Sequence, residues 1–393
     1  MTAGEAKALR KHVPRGAFAQ WKPAPDRRDP VELLHETERG RIPALLALRH
    51  ERMRADVFGF YRGGAALMAA DLAGRPVTGL RVQLCGDAHF QNFGGYATPE
   101  RNLIFDVDDF DETLPGPWEW DVLRLCASAP LVAAIRSFGK HAGDEAAYAA
   151  ARGYRRYMAK LATRSPLEIW YSRVDVRGEL AEELTPPRTA EHVNPTPEHV
   201  ELAHSMLAIY HQSLQPHVRM LLERYHAVEL FEHPVGVGSV GLLTMVAHLE
   251  AREGEALYLQ IKEAQASVLE PYLRRSVYDN HGERVIAGQR LMQAATDLFV
   301  GWTSENGHDF YVRQLRDGKA SLDLENIDAE QLIDFARRCG TVLARAHART
   351  GDPQAIAAYL GRGDAFEEGM VGFARAYAAQ VERDYEEFCR TFS

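Results

Sequence analysis

The sequence predicts an α+β fold in two unequal parts, a larger mostly helical one and a smaller antiparallel, β-rich one. Three observations predict it. Apolar residues recur at helical spacing through much of the chain, as in EQLIDFARRCGTVLARAHA, where Leu332, Phe335, Ala336, Cys339, Val342, Leu343 and Ala346 fall on one stripe. From residue 234 the pattern changes to apolar strands punctuated by glycine and polar turns, in PVGVGSVGLLTMVAHLEAREGEALYLQIKEA and then in WTSENGHDFYVRQL. Two short strand patterns, LRVQLCG (80–86) and NLIFDVDDFD (102–111), interrupt the helical first third.

In chain order, residues 31–73 read as helix, with Leu33, Leu34, Leu45, Leu46, Leu48 and Met53 leading into FGFYRGGAALMAADLAG. The loop DAHFQNFGGY joins the two short strands, TLPGPWEW is a turn, and a strong helical period starts at Asp121. Residues 144–171 and 197–231 also read as helix. Between them, 172–199 carries four prolines and many charges, which makes a long loop, either an exposed connection or a lid over a substrate. A helix over 283–299 and another over 329–347 complete the reading. The expected organisation is therefore a helical part over 1–230, a β-rich part over 231–318, and C-terminal helices over 319–393 that return to the helical part.

Composition narrows the function. With 393 residues, 46% of them hydrophobic, the chain can bury a sizeable core. A net charge of −9 disfavours nucleic acid as a partner. The basic N-terminal arm (Lys7, Arg10, Lys11, Arg15, Lys22, Arg27, Arg28) has interspersed acids and few aromatics, and reads as a solvated or partly packed arm. The four cysteines, Cys85, Cys126, Cys339 and Cys389, lack metal-site spacing and suggest a reduced, intracellular chain. No uncharged apolar run approaches the roughly 20 residues needed to span a bilayer, so no membrane partner is expected and a cytoplasmic location is.

Four clusters can carry chemistry. Asp87 and Asn92, five positions apart in a loop after a buried strand, supply a carboxylate to orient a hydroxyl and an oxygen ligand for a metal. Asp and Asn also serve turns, so the pair alone is weak. Asp106, Asp108, Asp109, Asp111 and Glu112 crowd five carboxylates at a strand end, where a divalent cation would relieve their repulsion. Strand alternation puts Asp109 and Asp111 on one face and Phe110 in the core. The alternative is an acidic turn. Gly236, Gly238, Ser239 and Gly241 form a glycine-rich turn whose backbone can approach phosphates; leading into a strand, it suits a hairpin over a nucleotide better than a dinucleotide turn. Lys262 ends an apolar strand one hairpin later, where an α/β-phosphate clamp needs it, though an edge lysine is the bland reading. Arg62 in FYRGG could meet a carboxylate or bind phosphate, and His347 reads as packed or solvated rather than catalytic.

Together these clusters resemble the working parts of the protein kinase-like superfamily, especially its aminoglycoside and choline phosphotransferase branch. Cys85-Gly86-Asp87 to Asn92 is similar to that branch's His-Gly-Asp-x-x-x-x-Asn loop, with Cys85 in place of the histidine, and Asp109-Phe110-Asp111 to its Asp-Phe-Asp/Glu strand end. The resemblance implies Asp87 as catalytic base, Asn92 and Asp109 as catalytic Mg²⁺ ligands with Asp111 as a further metal ligand, and Asp121 in Trp-Asp-Val-Leu tying down the catalytic loop. It implies ATP held by the glycine turn and Lys262. The order departs: the glycine turn and lysine follow the catalytic loop, and the helix ending Leu343-Ala-Arg-Ala-His347 comes near the C-terminus, as in a circularly permuted two-lobed kinase-like fold. The acid that should pair with Lys262 is not evident, with Glu270, Glu283 and Gln289 as candidates. FGFYRGGAALMAADLAG, GDAHFQNFGGY, FDVDDFDET, PGPWEWDVLRL, LQIKEAQASVLEPY, GQRLMQAATDLFVGW, FYVRQLRDGK and LARAHART also resemble blocks of the bacterial DUF2252 family. The implied activity is ATP- and Mg²⁺-dependent phosphoryl transfer to a small-molecule hydroxyl. Transfer of AMP by the same kind of site, or a catalytically silent ATP-binding partner protein, are the alternatives.

Overall fold

The computed structural model describes residues 1–176, 184–185, 197–232, 240–252, 254–315, 320–324 and 326–392. Their strands are β1 (Arg81–Leu84), β2 (Phe93–Ala97), β3 (Leu103–Val107), β4 (Leu114–Pro117), β5 (Leu184–Thr185), β6 (His226–Glu232), β7 (Thr244–Glu250), β8 (Ala256–Ala264), β9 (Gly301–Glu305), β10 (His308–Gln314) and β11 (Ala320–Leu322). They form a two-stranded sheet β1-β4, a four-stranded sheet β3-β2-β11-β5 and a five-stranded sheet β6-β7-β8-β10-β9. All the pairings are antiparallel. The protein is α+β, as its periodicities predict.

Two apolar cores organise the chain. The larger one gathers the helices Trp118–Ile135, Gly139–Leu161, Ala329–Ala348 and Ala365–Thr391. Every residue of the predicted stripe, from Leu332 to Ala346, is fully buried there. The smaller core packs Met206, Tyr210, Val218 and Leu222 against Met245, Leu259 and Ile261 of the five-stranded sheet. Residues 197–222 thus contribute helices to the β-rich core. The predicted helix over 197–231 stops at Leu222, and β6 follows, because its Phe231 is needed as an apolar partner on the sheet's buried side.

Other boundaries move for local reasons. The predicted 31–73 helix is four pieces, broken where Pro43 starts a new helix, where Asp56 caps the next through the Gly59 amide, and at Gly64. The 283–299 helix is His281–Met292, because Gln293 is extended and its side chain donates to the Val107 carbonyl at 2.7 Å. The basic arm is partly packed, with Lys7, Lys11, Lys22 and Arg28 exposed. Arg10 and Arg15 donate to the carbonyls of Ala358, Tyr359 and Leu360, which close the Pro353–Leu360 helix, and Arg27 bridges Asp71 and Asp384 at 2.6 Å each. All four cysteines are free. Among the described residues no helix is long and apolar enough to cross a membrane.

At the start of the Trp118–Ile135 helix, Trp118 stacks on Tyr154 and donates Nε1–H to Thr78 Oγ1 at 3.0 Å. Thr78 in turn donates its hydroxyl (2.6 Å) and its amide (2.8 Å) to Glu119 Oε1. Glu119 is wholly buried and its Oε2 has no partner. Burial pushes its carboxyl up to about 7, against the pull of Thr78. The folded state therefore holds this proton more tightly than the unfolded chain does. The stabilisation is complete below the ordinary glutamate range and is lost as pH rises through about 7. Thermal melts between about pH 4.5 and pH 8 should show stability falling up to about pH 7, and Glu119→Gln should reduce that fall by on the order of 1–3 kcal/mol. A variant with the same slope as the parent would assign the pH dependence elsewhere.

Candidate functional site

The described surface is indented by a cleft of about 630 Å³ whose walls include Asp87, Asn92, Asp109 and Asp111 on one side and Leu242 and Gln265 on the other. It assembles from loops that local chemistry shapes closely. Gly86 has a positive φ of 88°, and a Cβ there would collide with the Glu112 carbonyl, so both conformation and space demand glycine. The loop's entry is held by one carboxylate. Asp121 accepts from the Cys85 amide at 2.9 Å and from the Gly86 amide at 3.1 Å. His347 Nε2 lies 3.1 Å from the same carboxylate, and its Nδ1 is 2.9 Å from the Tyr154 hydroxyl. His347, read from sequence as packed or solvated, is fully buried.

Beyond Gly86 the loop closes on itself. The Asp87 carbonyl accepts from the His89 amide and from Asn92 Nδ2, both at 2.8 Å. Asn92 is thereby oriented, with its backbone carbonyl taking the Asp108 amide at 3.1 Å. The Asp87 carboxylate meets Arg124 Nε at 2.7 Å and His89 Nε2 at 3.6 Å. Arg124 is itself braced, donating to the Tyr61 carbonyl at 2.8 Å with its guanidinium 4.0 Å from the centre of the Tyr61 ring. Burial raises the Asp87 carboxyl above its ordinary value, the Arg124 charge opposes this, and Asp109 adds to the rise.

The acidic strand end divides its labour. β3 stops at Val107 rather than at residue 111, because the Asp109 carboxylate accepts the Asp111 amide at 3.1 Å and turns the chain. Phe110 is buried, as alternation predicts, and Asp109 and Asp111 face the same cleft although they are not in a strand. Asp106 is wholly buried and pairs with Arg345 at 2.6 Å. Glu112 accepts the Val268 amide at 2.7 Å, and burial pushes its carboxyl up to about 7.

Asp111 is the acid bound to Lys262. Lys262 Nζ donates to Asp111 Oδ2, and the Tyr311 hydroxyl donates to Oδ1 at 2.8 Å. Burial alone would lower the lysine's affinity for its proton, but Asp111 outweighs it and holds Lys262 charged. The sequence candidates have other places: Glu283 is in the first turn of its helix, where Asn280 accepts its amide; Gln289 donates to Gln293 at 2.9 Å; and Glu270 lines the cleft. The helix after β8 instead sends in Arg284, which donates to the carbonyls of Asp111, Thr113 and Gln265, each at 2.8 Å.

Of the glycine turn, Gly236, Gly238 and Ser239 lie outside the described residues. Gly241, with a φ of 96°, is gripped from the N-terminal side: its carbonyl accepts the Ile42 amide at 2.7 Å, and Arg41 donates to the Val240 carbonyl at 2.6 Å. Among the described residues no group of three or more His, Cys, Asp or Glu side chains is arranged to hold a metal ion.

A family model described as an uncharacterized protein conserved in bacteria (DUF2252) matches residues 41–201 and 183–391. The chain belongs to the DUF2252 family. The match takes in both acidic loops, Lys262 and His347. No curated protein and no solved structure matches.

In this DUF2252 protein, sequence reading missed Arg124, Tyr311, Arg284 and the Tyr154–His347–Asp121 chain. Arg124 had a signal: it is a single cation in the apolar run DVLRLCASAPLVAA, three residues after Asp121, and so a buried charge in want of a partner. The others join residues that the sequence separates by more than a hundred positions. Replacing Asp121 by Ala should orphan two buried amides and His347 together and destabilise the fold by about 2–5 kcal/mol in denaturant melts. Asp121→Asn, which keeps one acceptor, should cost less. Equal losses in the two variants would exclude the loop amides as the cause.

Proposed function

We propose that this protein is an ATP- and Mg²⁺-dependent phosphotransferase that acts on a small-molecule hydroxyl, with a kinase-like site assembled in circularly permuted order. The observation that carries the reading is the meeting of Asp87, Asn92, Asp109 and Asp111 on one cleft, with Lys262 from the second half of the chain bonded to Asp111. The five-stranded sheet adds support. β6 and β7 flank the glycine turn, the next strand carries Lys262, a helix follows, and β9 and β10 complete the sheet. In protein kinases a glycine-rich loop covers the phosphates and the lysine is on the third strand.

In this reading Asp87 accepts the proton of the acceptor hydroxyl. The hydroxyl oxygen forms a bond to the γ-phosphorus of ATP while the bond from that phosphorus to the ADP oxygen breaks. Asn92 and Asp109 would hold Mg²⁺, which supplies charge neutralisation at the phosphates. Mg²⁺ uses only one or two protein carboxylates beside phosphate and water oxygens, so a site with few protein ligands fits it. Lys262, held charged and oriented by Asp111 and Tyr311, stands ready to meet phosphate oxygens. Because both Asp111 oxygens are already engaged, Asp111 acts first as the anchor of that lysine, the task a helix glutamate performs in protein kinases.

Calorimetry with ATP should show binding that requires Mg²⁺. Turnover of γ-labelled ATP, with a metabolite extract supplying acceptors, should fall at least about 10²–10⁴-fold in Asp87→Asn. That variant should still bind MgATP, whereas Asp109→Asn should lose Mg²⁺-dependent binding. Transfer of label from α- but not γ-labelled ATP would replace phosphoryl by adenylyl transfer. Failure of the parent protein to bind ATP in either condition would end the nucleotide reading.

A further inference from the structure

Three polar side chains on the cleft wall, Arg62, His89 and Glu270, have buried atoms without a hydrogen-bond partner, and in the first two these are nitrogens that can donate to an anion. Arg62, at the end of the Val57–Gly63 helix, lines the cleft, and its Nε is buried with no hydrogen-bond partner. His89 is 3% exposed, lines the same cleft, and its Nδ1 is also buried without a partner. Unpaired buried polar atoms are costly and uncommon in folded proteins, and a charged group more so.

Arg62 is the more telling of the two. The anions that act on it are Asp87 first, then Asp56 and Asp109. Yet the salt bridge of Asp87 goes to Arg124, which contacts it at 2.7 Å. A guanidinium that only stabilised the fold would spend donors inside the protein, on a carboxylate as Arg124 does or on carbonyls as Arg284 does. Arg62 stays beside Asp87 with donor capacity facing the cleft, where five N–H groups in a planar fork suit an oxyanion. The imidazole of His89 adds a nitrogen that can donate or accept according to tautomer. Arg39 and Arg275, both exposed, add positive charge at the cleft.

We infer that Arg62 and His89 form a subsite for a phosphate-type oxyanion next to Asp87. The phosphotransfer reading supplies the identity of that anion, which is either the transferring phosphoryl group or a phosphate carried by the acceptor. The existence of the subsite rests on the unsatisfied nitrogens together with their place on the cleft wall beside Asp87.

Inorganic phosphate is the probe, titrated by calorimetry or ³¹P NMR into the full-length protein without nucleotide or added metal. The parent protein should bind it. Arg62→Gln should weaken binding at least about tenfold, the value of one lost charge-assisted hydrogen bond, and Arg62→Lys by less. The melting temperature of Arg62→Gln should be no lower than the parent's, since no protein contact to Nε is lost, and its affinity for ADP should change less than about twofold. Displacement of phosphate by a non-hydrolysable ATP analogue but not by ADP assigns the subsite to the transferring group. Displacement by neither assigns it to the acceptor. Arg62-dependent phosphate binding with no nucleotide binding at all would keep the subsite and discard phosphotransfer. Phosphate binding that is absent, or equal in parent and Arg62→Gln, overturns the inference even where nucleotide binds.

Discussion

A single buried carboxylate, that of Asp121, fixes the backbone from which the whole candidate site is built. It takes the amides of Cys85 and Gly86 and lies against His347. The contact joins three elements: the loop after β1, the first turn of the Trp118–Ile135 helix, and the end of the Ala329–Ala348 helix. Negative charge in the first turn of a helix is favoured by the free amides there, and Asp121 occupies that turn. Everything downstream in the loop, from the Asp87 carbonyl that orients Asn92 to the turn that delivers His89, starts from that anchored pair of amides. Gly86 tightens the constraint, because only glycine passes under the Glu112 carbonyl at that φ.

A second set of buried charges ties the late part of the chain to this frame. Arg345 reaches Asp106, Lys262 reaches Asp111, and Arg284 gathers three carbonyls at the junction of β4, β8 and the acidic turn. Buried ion pairs are poor sources of net stability, since desolvation offsets most of the attraction, but removing one partner leaves a charge with nowhere to go. Their value here is positional. Apolar packing would tolerate small slides between the sheet and the helices, whereas these contacts permit one register. Lys262 illustrates the point: burial works against its charge, and Asp111 with Tyr311 restores it at one location only.

Much of the fold was legible because periodicity reports burial directly. The stripe from Leu332 to Ala346 is buried throughout, and the strands around Lys262 occur where glycine and polar turns bracket them. The errors fall where local chemistry overrides period. Asp109 turns the chain two residues after β3 ends, Asp56 and Pro43 split a continuous helical pattern, and β6 follows a helix whose apolar spacing gives no warning. For the site, residue type and spacing marked Asp87, Asn92, Asp109 and Asp111 as candidates without joining them; the fold brings the four to one cleft. Type and spacing were likewise not enough to pair Lys262, because the choice among acids depends on a contact across 151 positions. Arg62 remained ambiguous in sequence for the same reason: its meaning lies in which carboxylate does not bind it.

That asymmetry between Arg124 and Arg62 separates scaffold from function in the cleft. Both arginines act on Asp87, and Arg124 lies over the Tyr61 ring. Arg124 spends its donors inside the protein, on a carboxylate and a carbonyl, and its removal would expose the fold to an unpaired Asp87. Arg62 lines the cleft and leaves a buried nitrogen unmet beside a carboxylate that another arginine has taken. What sets Arg62 apart is its place: it lines the cleft beside Asp87, where an incoming anion would meet its unused donors. The same logic explains why Asp111 holds Lys262 so closely. A cation buried behind the cleft-lining Asp111 needs a neutralising partner, and the one that supplies it also fixes where the ammonium lies.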